Sequence, residues 1–201
     1  MTAIRLIAGL GNPGPRYQHT RHNVGADWVA ALARRFGITL SEQSRFRGLL
    51  GRGDLLGHDV RLLLPLTYMN LSGDSVGAVA RFYRVEPQEI LVAYDEMAFE
   101  PGVVRLKTGG GDNGHNGIRS VISGLGNARN FHRLRIGVGH PGDRDRVTAY
   151  LTSVTPPARE RELIEAGFEL PDSILEQLLD GKIQKVMNWL HAPDPAADGE
   201  K

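Results

Sequence analysis

The stretch Ile4-Arg5-Leu6-Ile7-Ala8-Gly9-Leu10-Gly11-Asn12-Pro13-Gly14-Pro15 decides the fold. A short apolar run stops at a segment of glycine and proline, so it reads as a buried strand ending in a loop. Beyond it, Val24, Trp28, Val29, Leu32 and Phe36 recur at helical spacing. Arg34-Arg35 and then Gly37 give that helix a positive end and a cap. Strand, loop and helix form one unit of an alternation that continues along the chain. Strands are predicted over 46–54 and 59–64, turning at Gly57, and a helix over 72–83 with Ser72 as its N-cap. Residues 90–94 are apolar without alternation, as in a fully buried strand. Further strands are predicted over 103–107 and 132–138, the latter half-exposed because His, Leu, Arg and Ile alternate in it. Helices are predicted over 115–125, 157–168 and 171–190. The pattern is α/β: one domain, residues 1–191, with a twisted mixed β-sheet flanked by helices on both faces, an α/β/α sandwich. Residues 192–201, rich in Ala, Pro and Asp, are expected to form a disordered tail.

Composition narrows the function. The chain has 201 residues, 41% of them hydrophobic, which suits one globular core. The formal net charge of +1 gives no global basic signal, so nucleic-acid binding would need a local patch. The absence of cysteine removes a thiol nucleophile, a thiolate metal site and a disulfide scaffold. No targeting segment or membrane-length apolar run is visible, so an intracellular protein is expected.

Gly9-Leu10-Gly11-Asn12-Pro13-Gly14 matches a dinucleotide-binding fingerprint in spacing alone. Pro13 and Pro15 interrupt the turn that should feed a helix, and Arg34 and Arg35 stand where a ribose-binding acid belongs. A tight strand-to-loop turn is the better reading, and it leaves Asn12 at the carboxyl end of a strand, where open α/β sheets bind ligands. His22 follows that loop at the start of a helix, where the N-terminal dipole disfavours imidazolium, so a neutral ring is expected. Asp95 closes the apolar strand and needs a partner if buried. A histidine suits it: the carboxylate holds one ring N–H and leaves the other nitrogen free to take a proton from water. A helix cap or a simple ion pair is the plainer alternative for each residue. Asn12, Asn70 and Asn116 each stand at a strand end or helix start. Turn formation explains any one of them; three together suit a cleft that holds a peptide backbone or an oxyanion without adding charge.

Gly109-Gly110-Gly111-Asp112-Asn113-Gly114 lacks the Gly-Lys-Ser/Thr of a nucleotide-binding loop and reads as a substrate-contacting loop. Arg129, Arg133, Arg135, Arg144 and Arg146 outnumber Asp143 and Asp145 in the next segment, and Arg105 and Lys107 join that face. Such a patch fits a phosphate backbone or, more simply, a solvated charged surface. His19 and His22 have ligand-like spacing but no accompanying Glu or thiol, so no metal is expected. No serine-nucleophile elbow is present.

Several segments in order, from about Arg5 to His191, carry a resemblance: Gly9 to Gly14 with Tyr17, Thr20-Arg21-His22-Asn23-Val24-Gly25, Thr67-Tyr68-Met69-Asn70-Leu71-Ser72-Gly73, Asp95-Glu96, Gly114-His115-Asn116-Gly117, and Phe131 to Pro141. The chain resembles the bacterial peptidyl-tRNA hydrolase family. The resemblance implies a monomeric, cytoplasmic esterase that needs no metal or cofactor. It would cleave the ester of peptidyl-tRNA released prematurely from ribosomes and recycle the tRNA. On this resemblance His22 activates water and Asp95 holds it. Asn12, Asn70 and Asn116 would bind the peptide and ester region, and Tyr17 and Tyr68 the acceptor end. Lys107, Arg135 and Arg144 fall where the family presents cations to tRNA phosphates. His115 would support, and the last helix, with Trp189, would be a lid beside the cleft. Ala98 and Asn113 depart from the family pattern without touching these roles. A non-catalytic RNA-binding module is the alternative: it would use the arginine patch but has no need of His22 with Asp95.

Overall fold

The computed structural model describes residues 1–192. The tail expected beyond Ala192 lies outside the described residues. Seven strands, β1 (Leu6–Gly9), β2 (Ser41–Gln43), β3 (Gly48–Leu55), β4 (His58–Pro65), β5 (Ile90–Glu96), β6 (Val104–Thr108) and β7 (His132–Gly137), form one sheet in the order β2-β3-β4-β1-β5-β7-β6. β4, β1, β5 and β7 run parallel, while β3 and β6 run against their neighbours, so the sheet is mixed as predicted. The described helices are α1 (Val24–Arg35), α2 (Ser72–Tyr83), α3 (Asn116–Gly124), α4 (Val147–Thr152), α5 (Ala158–Ala166), α6 (Asp172–Leu179) and α7 (Ile183–Leu190).

Side-chain alternation along β1 divides the core into two layers. Ile7 packs with Val24, Trp28, Val29 and Leu32 of α1 and with Leu175 and Leu178 of α6. Leu6 and Ala8 face the other way, onto Val76 and Val79 of α2 and Ile118 and Val121 of α3. Helices therefore cover both faces. From β1 the chain leaves through α1 toward β2, whereas β5 leaves on the opposite side toward β6 and β7. The carboxyl ends of β1 and β5 are thus a switch point, where open sheets hold ligands.

Several expectations change. The strand over 132–138 is not half-exposed: β7 is an inner strand, and His132, Arg133 and Leu134 are all buried. Its alternation misled because Arg133 is held inside through its two terminal guanidinium nitrogens. Its guanidinium donates to the carbonyls of Gly110 and Gly111 and lies over the Phe131 ring. The helix predicted over 171–190 is two helices, broken where Gly181 takes φ 75. Ser72 is not an N-cap; it lies within the helix, and its buried hydroxyl donates to the Met69 carbonyl. β2 and α4 had no clear periodic signal, being three and six residues long.

One close approach positions the site. A Cβ on Gly25 would lie 2.1 Å from the Ala93 carbonyl oxygen, and one on Gly9 would lie 2.3 Å from the Gly25 carbonyl oxygen. Only glycine lets the start of α1 rest on β1 and β5 at this spacing. Gly25→Ala is expected to cost about 1–3 kcal/mol in urea unfolding, as overpacking does, and to lower activity because the start of α1 carries His22.

Candidate active site

The cleft lies over the carboxyl ends of β1 and β5 and has a volume near 450 Å³. Asn12, His22, Tyr68, Asn70, Asp95, His115 and Asn116 all line it, and Val147, Thr148 and Leu151 of α4 form one wall. A second hollow of about 460 Å³, between α1 and α5, contains none of the cleft residues just named.

Asp95 is the centre of the arrangement. It belongs to β5, with its side chain only 1% exposed. His22 Nδ1 lies 2.9 Å from both of its carboxylate oxygens. His115 Nε2 lies 2.9 Å from Oδ1. Burial pushes the Asp95 value up, but the charges and hydrogen bonds of His22 and His115 outweigh it and hold the carboxyl well below its usual range. The helix terminus is expected to hold His22 neutral; the structure adds a second influence, the Asp95 carboxylate. It sits in a 3-10 turn, Arg21–Asn23, that precedes α1. Burial pulls its value down, yet the charge and hydrogen bond of Asp95 raise it above that of an ordinary histidine. Since Nδ1 is committed to Asp95, Nε2 is the ring nitrogen left for the cleft.

Asn12 is oriented by the backbone on both sides. Its N–H donates to Asn23 Oδ1 at 2.8 Å, and its carbonyl accepts from Asn23 Nδ2 at 2.9 Å. Its side-chain Oδ1 accepts from the Met69 N–H at 2.7 Å. That contact fixes the amide orientation and leaves Nδ2 as a donor. Asn70 is exposed in the 3-10 turn Met69–Leu71. Asn116 opens α3, and its Oδ1 accepts from Arg119 at 3.1 Å. Tyr17 does not line the cleft; it packs edge-on to Tyr68, which does, with ring centroids 6.4 Å apart. Asn113 takes a left-handed φ of 49, which asparagine tolerates, and Ala98 donates its N–H to Glu96.

The cationic face is more engaged than its sequence suggests. Arg133 is buried and leaves the patch. Arg135 sets Nε and Nη2 on one oxygen of Glu96, at 3.1 and 2.8 Å, and stacks on Phe99. Arg105 reaches the Leu190 carbonyl. Lys107 is partly exposed, and burial together with Arg135 and Arg133 lowers its value. Arg144 is exposed in the turn before α4. Nor does the last helix form the lid. No residue of α7 lines the cleft; α7 ends instead against β6, where His191 Nε2 accepts the Leu106 N–H.

Two contributors had little sequence signal. Asn23 holds the Asn12 loop, as described. Arg21 is 2% exposed, pairs with Glu160 at 2.6 Å and lies 3.9 Å over the Tyr150 ring. It joins the His22 turn to α4 and α5. Asn23 and Arg21 flank His22; the partner of Asn23 is only eleven positions away, but nothing in the sequence names the partners of Arg21, more than a hundred residues along the chain.

His22, Asp95 and His115 have the spacing of a metal site. Hydrogen placement opposes that use. His115 Nδ1 accepts the Gly117 and Ile118 N–H groups, at 3.1 and 3.2 Å, so its lone pair faces them and its hydrogen is on Nε2, toward Asp95. A metal needs that nitrogen bare.

An acid–base pair in an amide-lined cleft at a sheet switch point defines the class: an α/β enzyme equipped to activate water. Comparison with known proteins makes it specific. The peptidyl-tRNA hydrolase family profile matches residues 6–198. A Shewanella baltica peptidyl-tRNA hydrolase is 51% identical over 192 residues, covering 96% of this chain and 98% of the relative. One from Acinetobacter baumannii is 48% identical over 196 residues, covering 98% and 100%. A crystal structure of the Acinetobacter baumannii enzyme superposes with a TM-score of 0.91 at 47% identity, covering 97% of this chain and 98% of that one. The chain belongs to the peptidyl-tRNA hydrolase family.

The opposing influences on His22 can be separated. Asp95→Asn removes the charge but keeps the burial, so the His22 midpoint, followed by NMR titration, is expected to fall from its raised position to below the ordinary histidine value of about 6.5.

Proposed function

We infer that this chain hydrolyses the ester between a peptide and the 3′-terminal ribose of tRNA. The observation that carries the reading is family membership over nearly the whole length. The cleft supplies a chemistry to match. His22 Nε2 takes a proton from water as the water oxygen attacks the ester carbonyl carbon. The carbonyl oxygen gains the negative charge, and Asn12 Nδ2 donates to it. The intermediate then collapses, the ribose oxygen leaves, and His22 returns the proton to it. The products are a peptide carboxylate and a free tRNA. Asp95 keeps the His22 ring in the tautomer this needs.

Asn70 and Asn116 hold the peptide backbone, and Tyr17 and Tyr68 meet the acceptor end. Neutral amides pair with any peptide backbone but leave the ammonium of a free aminoacyl ester unpaired, which favours blocked substrates. Lys107, Arg135 and Arg144 meet tRNA phosphates, with Arg135 doing so from its Glu96 pair. A monomer is the expected state. No described helix is long and apolar enough to cross a membrane. Peptidyl-tRNA shed prematurely by ribosomes is the natural source of substrate, which places the enzyme in the cytoplasm and makes tRNA recycling its outcome. The buried Asp95 with its two histidines counts against a non-catalytic RNA-binding module, which would have no use for it.

Incubation with N-acyl-aminoacyl-tRNA and with free aminoacyl-tRNA, without added metal or nucleotide, tests the reading. Rapid cleavage of the blocked form alone is expected; equal cleavage of both, or of neither, refutes it. His22→Ala is expected to lower kcat by on the order of a hundredfold or more, with tRNA affinity little changed. Activity in the wild type is expected to fall as pH drops through the raised His22 value.

A further inference from the structure

We propose that His115 is a positioning residue for His22, acting through the carboxylate they share: it fixes Asp95 in place and takes up part of the negative charge that would otherwise bear on the base. The geometry is specific. One oxygen, Asp95 Oδ1, is 2.9 Å from both His22 Nδ1 and His115 Nε2. The two imidazoles are tilted neighbours, with centroids 5.1 Å apart. His115 cannot turn away, because it is also the N-cap of α3: its Nδ1 accepts two helix N–H groups, which leaves its hydrogen on Nε2. The edge of Tyr94 packs on the same ring, at 4.9 Å. Helix capping thus selects the tautomer that donates to Asp95.

A hydrogen bond donated to a carboxylate spreads its charge and weakens its hold on a second partner. The other ionisable groups around the cleft are otherwise engaged. Glu96 pairs with Arg135, Asp112 with Arg119, and Arg21 with Glu160. α4 brings Val147, Thr148, Leu151 and Thr152 to the cleft, none of which titrates. Among the described residues, Asp95 is the one carboxylate bonded to His22, and His115 is the one other side chain bonded to Asp95.

His115→Asn separates this role from capping. Asparagine is a good N-cap but is too short to bridge to Asp95. NMR titration of His22 in the variant is expected to show its midpoint moved to higher pH, with the melting temperature lowered only as far as the loss of one buried hydrogen bond brings. The proposal rests on His22 being the base only where activity is the readout. There, the acid limb of kcat/KM should follow the midpoint: activity below the wild-type midpoint falls several-fold, while the alkaline plateau stays within about threefold. An unchanged or lowered His22 midpoint overturns the proposal. A moved midpoint with an unmoved activity limb leaves the His115 coupling standing and removes His22 from the base role. A purely structural His115 would lower the plateau and melting temperature without moving either midpoint. In the wild type, long-range nitrogen–proton correlation of the imidazoles should show the His115 hydrogen on Nε2; finding it on Nδ1 also overturns the proposal.

Discussion

A carboxylate buried in the middle of a β-sheet sets the terms for this molecule. Asp95 extends from β5 just past the end of β1, with Ile136 of β7 opposite it, and its side chain is almost wholly out of contact with solvent. An unpaired charge in that place would cost several kcal/mol, more than most single contacts return. Two histidines satisfy it, one arriving from each helical layer. His22 comes with the start of α1 on one face of the sheet, and His115 with the start of α3 on the other. The core layers and the site are consequently one construction: moving either helix along the sheet uncouples Asp95 as well as opening the core.

Close backbone packing makes that convergence possible. Gly9 and Gly25 bring α1 down onto β1 and β5, so the turn carrying His22 lies directly against the strand carrying Asp95. Asn23 then works in the other direction, tying the Asn12 backbone to the same turn through two hydrogen bonds. Met69 completes the circuit by fixing the Asn12 side chain. His22, Asp95 and Asn12 are each held by hydrogen bonds to neighbouring groups rather than left to free rotamers, the preorganisation that an electrostatic site requires.

Much of this was legible in the chain. Asp95 at the end of an unbroken apolar run reads as an acid that needs a partner if buried, and the proline-interrupted loop after β1 argues against a cofactor turn and leaves Asn12 at a strand end. The core of α1 follows from its apolar spacing. What the sequence concealed was mostly long-range pairing. The alternation of β7 resembles a half-solvated strand because nothing local reveals that Arg133 will find two glycine carbonyls and an aromatic ring inside. Gly181 splits the final helix, which an apolar pattern alone does not show. The pull of Asp95 on His22 was hidden for a related reason. A helix terminus can be read from neighbouring residues, but a carboxylate 73 positions away in sequence and 2.9 Å away in space cannot.

The two His-Asn segments, alike in sequence, therefore do different work because the sheet presents them from opposite faces. In the first, the histidine has one nitrogen on Asp95 and the other directed to the cleft, while its asparagine turns inward to brace the Asn12 loop. In the second, the histidine is occupied at both nitrogens, by Asp95 and by the α3 backbone, and cannot exchange a proton with substrate without breaking one of those bonds. Its asparagine is the exposed member. A catalytic base needs one free nitrogen, and among these two rings only His22 has it. The shared carboxylate makes the asymmetry useful: the ring locked by the helix steadies the acid that orients the ring left free.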